Sequence, residues 1–360
     1  MNDFLYLLRC ALWNTKPELS ELDDWNGVVR MAQRQTVFGL VVHAVLQTEA
    51  VGQLAPESRQ LLQQQMDDII HAAKQANSLI VEIINSFSQE GIDTFLLKGQ
   101  GLAAFYPNPE LRQCGDIDLL VTPKDYEQAM VVLNRMVSSQ SLIKAYTTEK
   151  HYHITIKGIP VELHWSCMVF EELEINNKYK LLEEHGLKAH PDDFFLGGTC
   201  IHRLSATFNV FYVFLHLWEH FLERGIGLRQ ICDLAMLLHR RNAQIDRNLL
   251  CEQLETLELW YPWKLFGCMI VCFLGLPSEE MPFYDAGYTR KAKRLLGIVL
   301  KEGNFGNSMN LNRFHKQHKG VIRSLTTLVS IQVRSWRIFT LLPNMGWSLW
   351  KQKMKGGFNK

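Results

Sequence analysis

The chain has 360 residues, 47% of them hydrophobic and 21% charged, with a formal net charge of +1. These are the proportions of an ordinary globular protein with room for two or three domains. No uninterrupted apolar run reaches the roughly 20 residues that a membrane span needs, so no transmembrane segment is expected.

Met1 to Trp13 is apolar but carries Asp3 and Arg9 and lacks a small-residue cleavage site, so it does not read as a secretory leader. The eight cysteines are scattered and form no C-x-x-C pair, which points to reduced thiols and a cytoplasmic protein. Residues 1–90 read as a helical region. From Ser58 to Glu90, apolar residues such as Leu62, Met66, Ile69, Ala73, Ala76, Ile80 and Ile84 recur at helical spacing, and Gly91 is a stop.

Residues 91–165 read as an α/β core. Phe95-Leu96-Leu97 is a short buried strand, broken by Lys98-Gly99-Gln100-Gly101. Leu102 to Tyr106 suits a turn and a half of helix, which Pro107-Asn108-Pro109 ends. The next strand carries Asp116-Ile117-Asp118-Leu119-Leu120-Val121. Strand alternation puts Asp116 and Asp118 on one face, and Ile117 and Leu119 on the other. Two carboxylates so placed repel each other unless a cation lies between them, and their oxygens suit Mg²⁺. A glycine turn after a strand offers backbone N–H groups to a phosphate.

Thr122-Pro123 looks like a helix cap, with a helix over Lys124 to Met136. His151 to Trp165 reads as a hairpin with Gly158 near its turn, and Glu162 faces away from Val161 and Leu163. Lys98 and Arg112 flank the turn and the D-x-D pair. Either cation suits phosphate oxygens, and arginine can bind them through two parallel N–H groups.

Residues 92–165, in the form LLKG…Y…R…GDIDLLV followed by VELHW, resemble the uncharacterised nucleotidyltransferase-like family found in bacteria. That family lies within the nucleotidyltransferase superfamily of the DNA polymerase beta type. A weaker match runs through His216 to Leu238. The resemblance implies an α+β fold: a small mixed-sheet nucleotidyltransferase core flanked by N-terminal and C-terminal helical regions. It implies Asp116, Asp118 and Glu162 as catalytic, metal-holding residues for Mg²⁺ (or Mn²⁺). Lys98, Gly99, Gln100 and Arg112 would be the nucleotide-binding residues. The implied reaction moves a nucleoside monophosphate from an NTP donor to an acceptor hydroxyl and releases pyrophosphate. A small molecule or a protein is favoured over nucleic acid as acceptor. The superfamily's turn has Gly-Ser where this chain has Lys98-Gly99-Gln100, so the serine that would touch a phosphate is missing.

Residues 166–360 read as mostly helical with a basic tail. His216, Glu219 and His220 fit H-x-x-E-H, which on a helix can hold zinc and gives an alternative hydrolase reading. A binding protein that keeps the fold without efficient transfer is a further alternative. Arg229 and Asp233, four apart on one helix, suit a mutual bridge. From Arg290 to Lys360 there are fifteen Lys and Arg against one acid, Glu302. This tail, with aromatic residues over Leu325 to Trp350, suits a helical cover, a peripheral contact with an anionic surface, or nucleic acid.

Overall fold

The computed structural model describes residues 2–137, 146–147, 151–223 and 225–303. Among these residues lie twelve α-helices: α1 Asn2–Trp13, α2 Trp25–Arg34, α3 Phe38–Leu46, α4 Pro56–Gln89, α5 Gly99–Ala103, α6 Tyr126–Arg135, α7 Leu173–Lys188, α8 Ala206–Glu223, α9 Leu228–Arg241, α10 Arg247–Thr256, α11 Trp260–Met269 and α12 Thr289–Glu302. The strands are β1 Thr94–Leu97, β2 Ile117–Val121, β3 Tyr146–Thr147, β4 His151–Ile156, β5 Ile159–His164, β6 Asp192–Leu196 and β7 Thr199–Arg203. They form one mixed sheet in the order β3-β4-β5-β2-β1-β7-β6. The fold is α+β, as the resemblance implied. No described helix is long and apolar enough to cross a membrane.

The long helix α4 lays Ala76, Leu79, Ile80, Ile83, Ile84 and Phe87 on one face of the sheet. There they meet Ile117, Leu119 and Val121 of β2 together with Ala129, Val132 and Leu133 of α6. Burial of each such aliphatic side chain contributes about 1.5–3 kcal/mol. Leu97 and Leu120 point the other way, into a larger core built with α8, α9 and α11. Asp118 alternates with Ile117 and Leu119, so it too is directed to this second face. The strand pattern expected from the sequence therefore sets which side of the sheet carries the acids.

Lys157 and Gly158 both have positive φ, at 51° and 82°. A two-residue turn with both φ positive matches the twist of a hairpin and fixes the register of β4 on β5. That register pairs His153 with Glu162 and His151 with His164.

Three local features differ from the sequence reading. The helix after β1 starts at Gly99, because Lys98 and Gly99 make the whole reversal, at φ 37° and 44°. The helix after β2 starts at Tyr126, and the Thr122 hydroxyl donates to the Asp125 carboxylate (2.6 Å) instead of accepting from the backbone. Downstream of 165, within a mostly helical stretch, β6 and β7 add a hairpin that the sequence reading did not name, and β7 runs parallel to β1. Most of the basic tail, including the aromatic stretch from Leu325 to Trp350, lies outside the described residues.

Candidate active site

β2 and β5 run parallel with Asp118 directly opposite Glu162. Opposed residues project from the same face, so the two carboxylates become neighbours although 44 positions separate them. Asp116, just before β2, completes the group. One carboxylate oxygen from each of Asp116, Asp118 and Glu162 lies within 4.8 Å of the others. The structure thus brings together all three acids named from the sequence.

Lys98 enters from the end of β1. Its Nζ is 3.1 Å from Asp118 Oδ1, and His164 Nε2 is 3.1 Å from the same oxygen. Its backbone, at φ 37° and ψ −144°, lies in a region few non-glycine residues occupy, and such strain gathers at functional sites. A Cβ on Gly99 would sit 3.4 Å from the Asp116 carbonyl and 3.5 Å from Cys114 Sγ, so this turn passes close behind the acids.

Of the other two residues expected at the nucleotide, Arg112 lines the same cavity as Lys98 and the acids but is already paired, and Gln100 points elsewhere. Gln100 turns toward α4, where its Nε2 donates to Asn77 Oδ1 (2.7 Å). Arg112 is buried, with Nε and one Nη donating to the two oxygens of Asp233 (2.9 and 2.7 Å) and the other Nη to the Gln113 carbonyl. The Tyr106 hydroxyl also donates to Asp233 (2.7 Å). Asp233 is therefore bridged by Arg112, not by Arg229 as the helix spacing suggested. Arg229 donates one Nη to the Gln113 carbonyl (2.8 Å), and its buried Nε has no protein partner. Lys98, the three acids, Arg229 and His216 line one cavity of about 210 Å³. His216 Nε2 is 3.5 Å from Lys98 Nζ. An ammonium so close opposes a zinc ion on that nitrogen.

The electrostatics show an excess of negative charge. Asp118, first, and burial, second, push the Asp116 carboxyl up to about 6. Burial would also raise Asp118, but Lys98 and then His164 outweigh it and hold that carboxyl well below its ordinary range. Burial opposes the charge of Glu162 too, yet His164, 3.6 Å away, brings its net shift downward. Burial would lower Lys98, and Asp118 reverses this and raises it. Lys98 and His164 thus settle Asp118, while Asp116 is left short of positive charge. Hard oxygen donors with uncompensated charge fit a divalent cation.

A pH dependence follows. Below pH about 6 Asp116 holds a proton that an incoming cation must displace. Mg²⁺ affinity is expected to fall about tenfold per pH unit below that point and to level off above pH 7. Calorimetric titrations from pH 5 to 8 check this, and a flat profile contradicts it.

The sequence reading gave no role to His151 or His164. The signal was present, because strand alternation puts His164 on the face of Glu162, and hairpin pairing adds His151.

A profile of the uncharacterised nucleotidyltransferase family matches residues 21–275. The chain is also similar to a solved structure described as an antigenic nucleotidyltransferase-like protein from Paracoccidioides brasiliensis. The identity is 14% and the TM-score 0.35, over 59% of this chain and 96% of that one. No curated protein matches the chain.

Proposed function

This chain belongs to the uncharacterised nucleotidyltransferase family, and on that premise we propose that it moves a nucleoside monophosphate from an NTP to an acceptor hydroxyl, releasing pyrophosphate. The observation that carries this reading is the convergence of Asp116, Asp118 and Glu162 on one cavity. These three residues would hold Mg²⁺ or Mn²⁺, which when bound neutralises phosphate charge and makes the acceptor oxygen a better nucleophile.

The protein's own groups divide the remaining work. Lys98 balances Asp118 in the free site, and its ammonium would serve as a donor to triphosphate oxygens. Arg229, with its unpartnered Nε, offers a donor to a phosphate oxygen. Arg112 acts at one remove: committed to Asp233, it ties the loop before β2 to α9. At about 210 Å³ the cavity is smaller than the 300–1,000 Å³ of pockets that enclose a drug-sized ligand. It suits the phosphates, with the base and the acceptor at its mouth. The acceptor is a small molecule or a protein side chain.

The test is transfer of an α-labelled NTP, with Mg²⁺, to a panel of small-molecule and protein acceptors. Transfer by the wild type that is lost in Asp116→Asn is the expected result, and transfer that survives in Asp116→Asn overturns the metal assignment. Arg229→Ala is expected to weaken NTP binding about 10- to 100-fold, the worth of a charge-assisted contact to phosphate. Unchanged binding in this variant removes Arg229 from the phosphate site.

Nucleotide binding without transfer is the second reading. The position of Lys98, whose ammonium already pairs with Asp118 at 3.1 Å, favours it. Metal-independent binding of an NTP would select it.

A further inference from the structure

His151 has had no part in the chemistry described so far, and His164 has figured only through its effect on the charge of the acids. His151 and His164 face each other directly across the antiparallel pair, and their ring centroids are 5.0 Å apart. Glu162 lies two residues before His164, so all three side chains leave the same face of the sheet. His151 Nε2 is 3.5 Å from Glu162 Oε1, and His164 Nε2 is 3.6 Å from Glu162 Oε2. One ligand atom from each of the three residues lies within 4.8 Å of the others. Nitrogen and oxygen ligands about 2.0–2.2 Å from a tetrahedral ion are roughly 3.3 Å from each other. The contacts to Glu162 are within about 0.3 Å of that spacing, His151 to one carboxylate oxygen and His164 to the other, so a single ion would take both oxygens or draw one of them toward both rings.

Two imidazoles and a carboxylate are a different donor set from the three carboxylates beside them. Imidazole suits Zn²⁺, Co²⁺ or Ni²⁺, whereas Mg²⁺ and Mn²⁺ favour oxygen. We infer that His151, Glu162 and His164 form a second divalent site, for a transition ion of the Zn²⁺ class, adjoining the oxygen site of Asp116 and Asp118 and sharing Glu162 with it. The two sites would sort ions by donor chemistry, a hard ion on the aspartates and a borderline ion on the hairpin. Glu162 presents Oε1 to His151 and Oε2 to His164, so sharing it with the aspartate site requires its carboxylate to turn. The inference rests on the proposed transfer reading only for what the second ion would do there, which is to lower the pKa of a bound hydroxyl or water.

One contact competes with it. His164 Nε2 also lies 3.1 Å from Asp118 Oδ1, where it acts as a hydrogen-bond donor. The same nitrogen cannot donate a proton and bind a metal. His164 is therefore either a ligand or a group that positions Asp118, and the experiment separates these roles.

The full chain is titrated with Co²⁺, whose visible d–d absorption reports coordination. The expected result is an intense low-coordinate band at one equivalent of Co²⁺. The band persists in Asp116→Asn, while His151→Gln and His164→Gln lose it and bind Co²⁺ at least tenfold more weakly. Even loss of an outer-shell partner of a metal ligand costs 10- to 100-fold. A weak six-coordinate spectrum, or a band unchanged in both histidine variants, overturns the site. X-ray absorption of the Zn²⁺-loaded wild type needs no variant. Two imidazoles in the first shell support the proposal, and a shell of oxygen alone contradicts it. Neither readout uses a nucleotide, so an intact histidine site beside absent Mg²⁺-dependent NTP binding would count against the transfer reading alone.

Discussion

Asp118→Asn is expected to abolish Mg²⁺-dependent nucleotide binding and to lower stability by about 2–4 kcal/mol, whereas Asp116→Asn abolishes the same binding and makes the metal-free protein more stable. The first change leaves Lys98, mostly buried, without its anion, and removing one partner of a buried pair is costly. The second relieves repulsion. Asp116 has its folded pKa raised to about 6 from the usual 3.8, so its charge disfavours the folded state. A group raised in this way gives stability that is full below the unfolded pKa and is lost as pH rises through the folded one. Each unit is worth 1.36 kcal/mol, and with solvent screening the gain in Asp116→Asn at pH 7 comes to about 1–2 kcal/mol. Urea denaturation with chelator present, at pH 5 and pH 7, checks both variants. A loss of stability in Asp116→Asn would show that the acids are not in conflict, and the case for a cation between them would fall.

Arg112→Ala is expected to cost about 3–5 kcal/mol, measured as a lower urea midpoint. It strands Asp233, 5% exposed, with the Tyr106 hydroxyl as its remaining donor in place of a cation. Arg112→Lys is expected to recover only part of the loss, because lysine cannot present two parallel N–H groups to one carboxylate. This pair holds the loop before β2 on α9, so the acids lose their backing when it breaks. A change below about 1 kcal/mol would place Arg112 among the exposed ion pairs and reopen it as a phosphate contact.

The contrast between Arg112 and Asp118 shows what the sequence carried. Alternation along β2 and the hairpin turn at Lys157-Gly158 are local, and they gave the faces of Asp118 and Glu162 directly, whereas Asp116, expected on the strand, stands just before it. That Glu162 stands beside Asp118 depends on parallel pairing of β2 with β5, which no local pattern states and which entered through the family resemblance. Arg112 and Asp233 are 121 residues apart, so no local pattern shows that this arginine, which lines the cavity, is already paired. Asp233 had a nearer cation in Arg229, and helical spacing chose the wrong partner because tertiary packing brought a better one. The β6–β7 hairpin was legible, since Gly197-Gly198 between short apolar runs is a turn signal.

The most direct test is calorimetric titration of the full chain with ATP, CTP, GTP and UTP, each with and without Mg²⁺, and again with Asp118→Asn. The account predicts that one nucleotide binds only with the metal and that the substitution removes this binding. Binding that is indifferent to Mg²⁺, or that survives in Asp118→Asn, would contradict it.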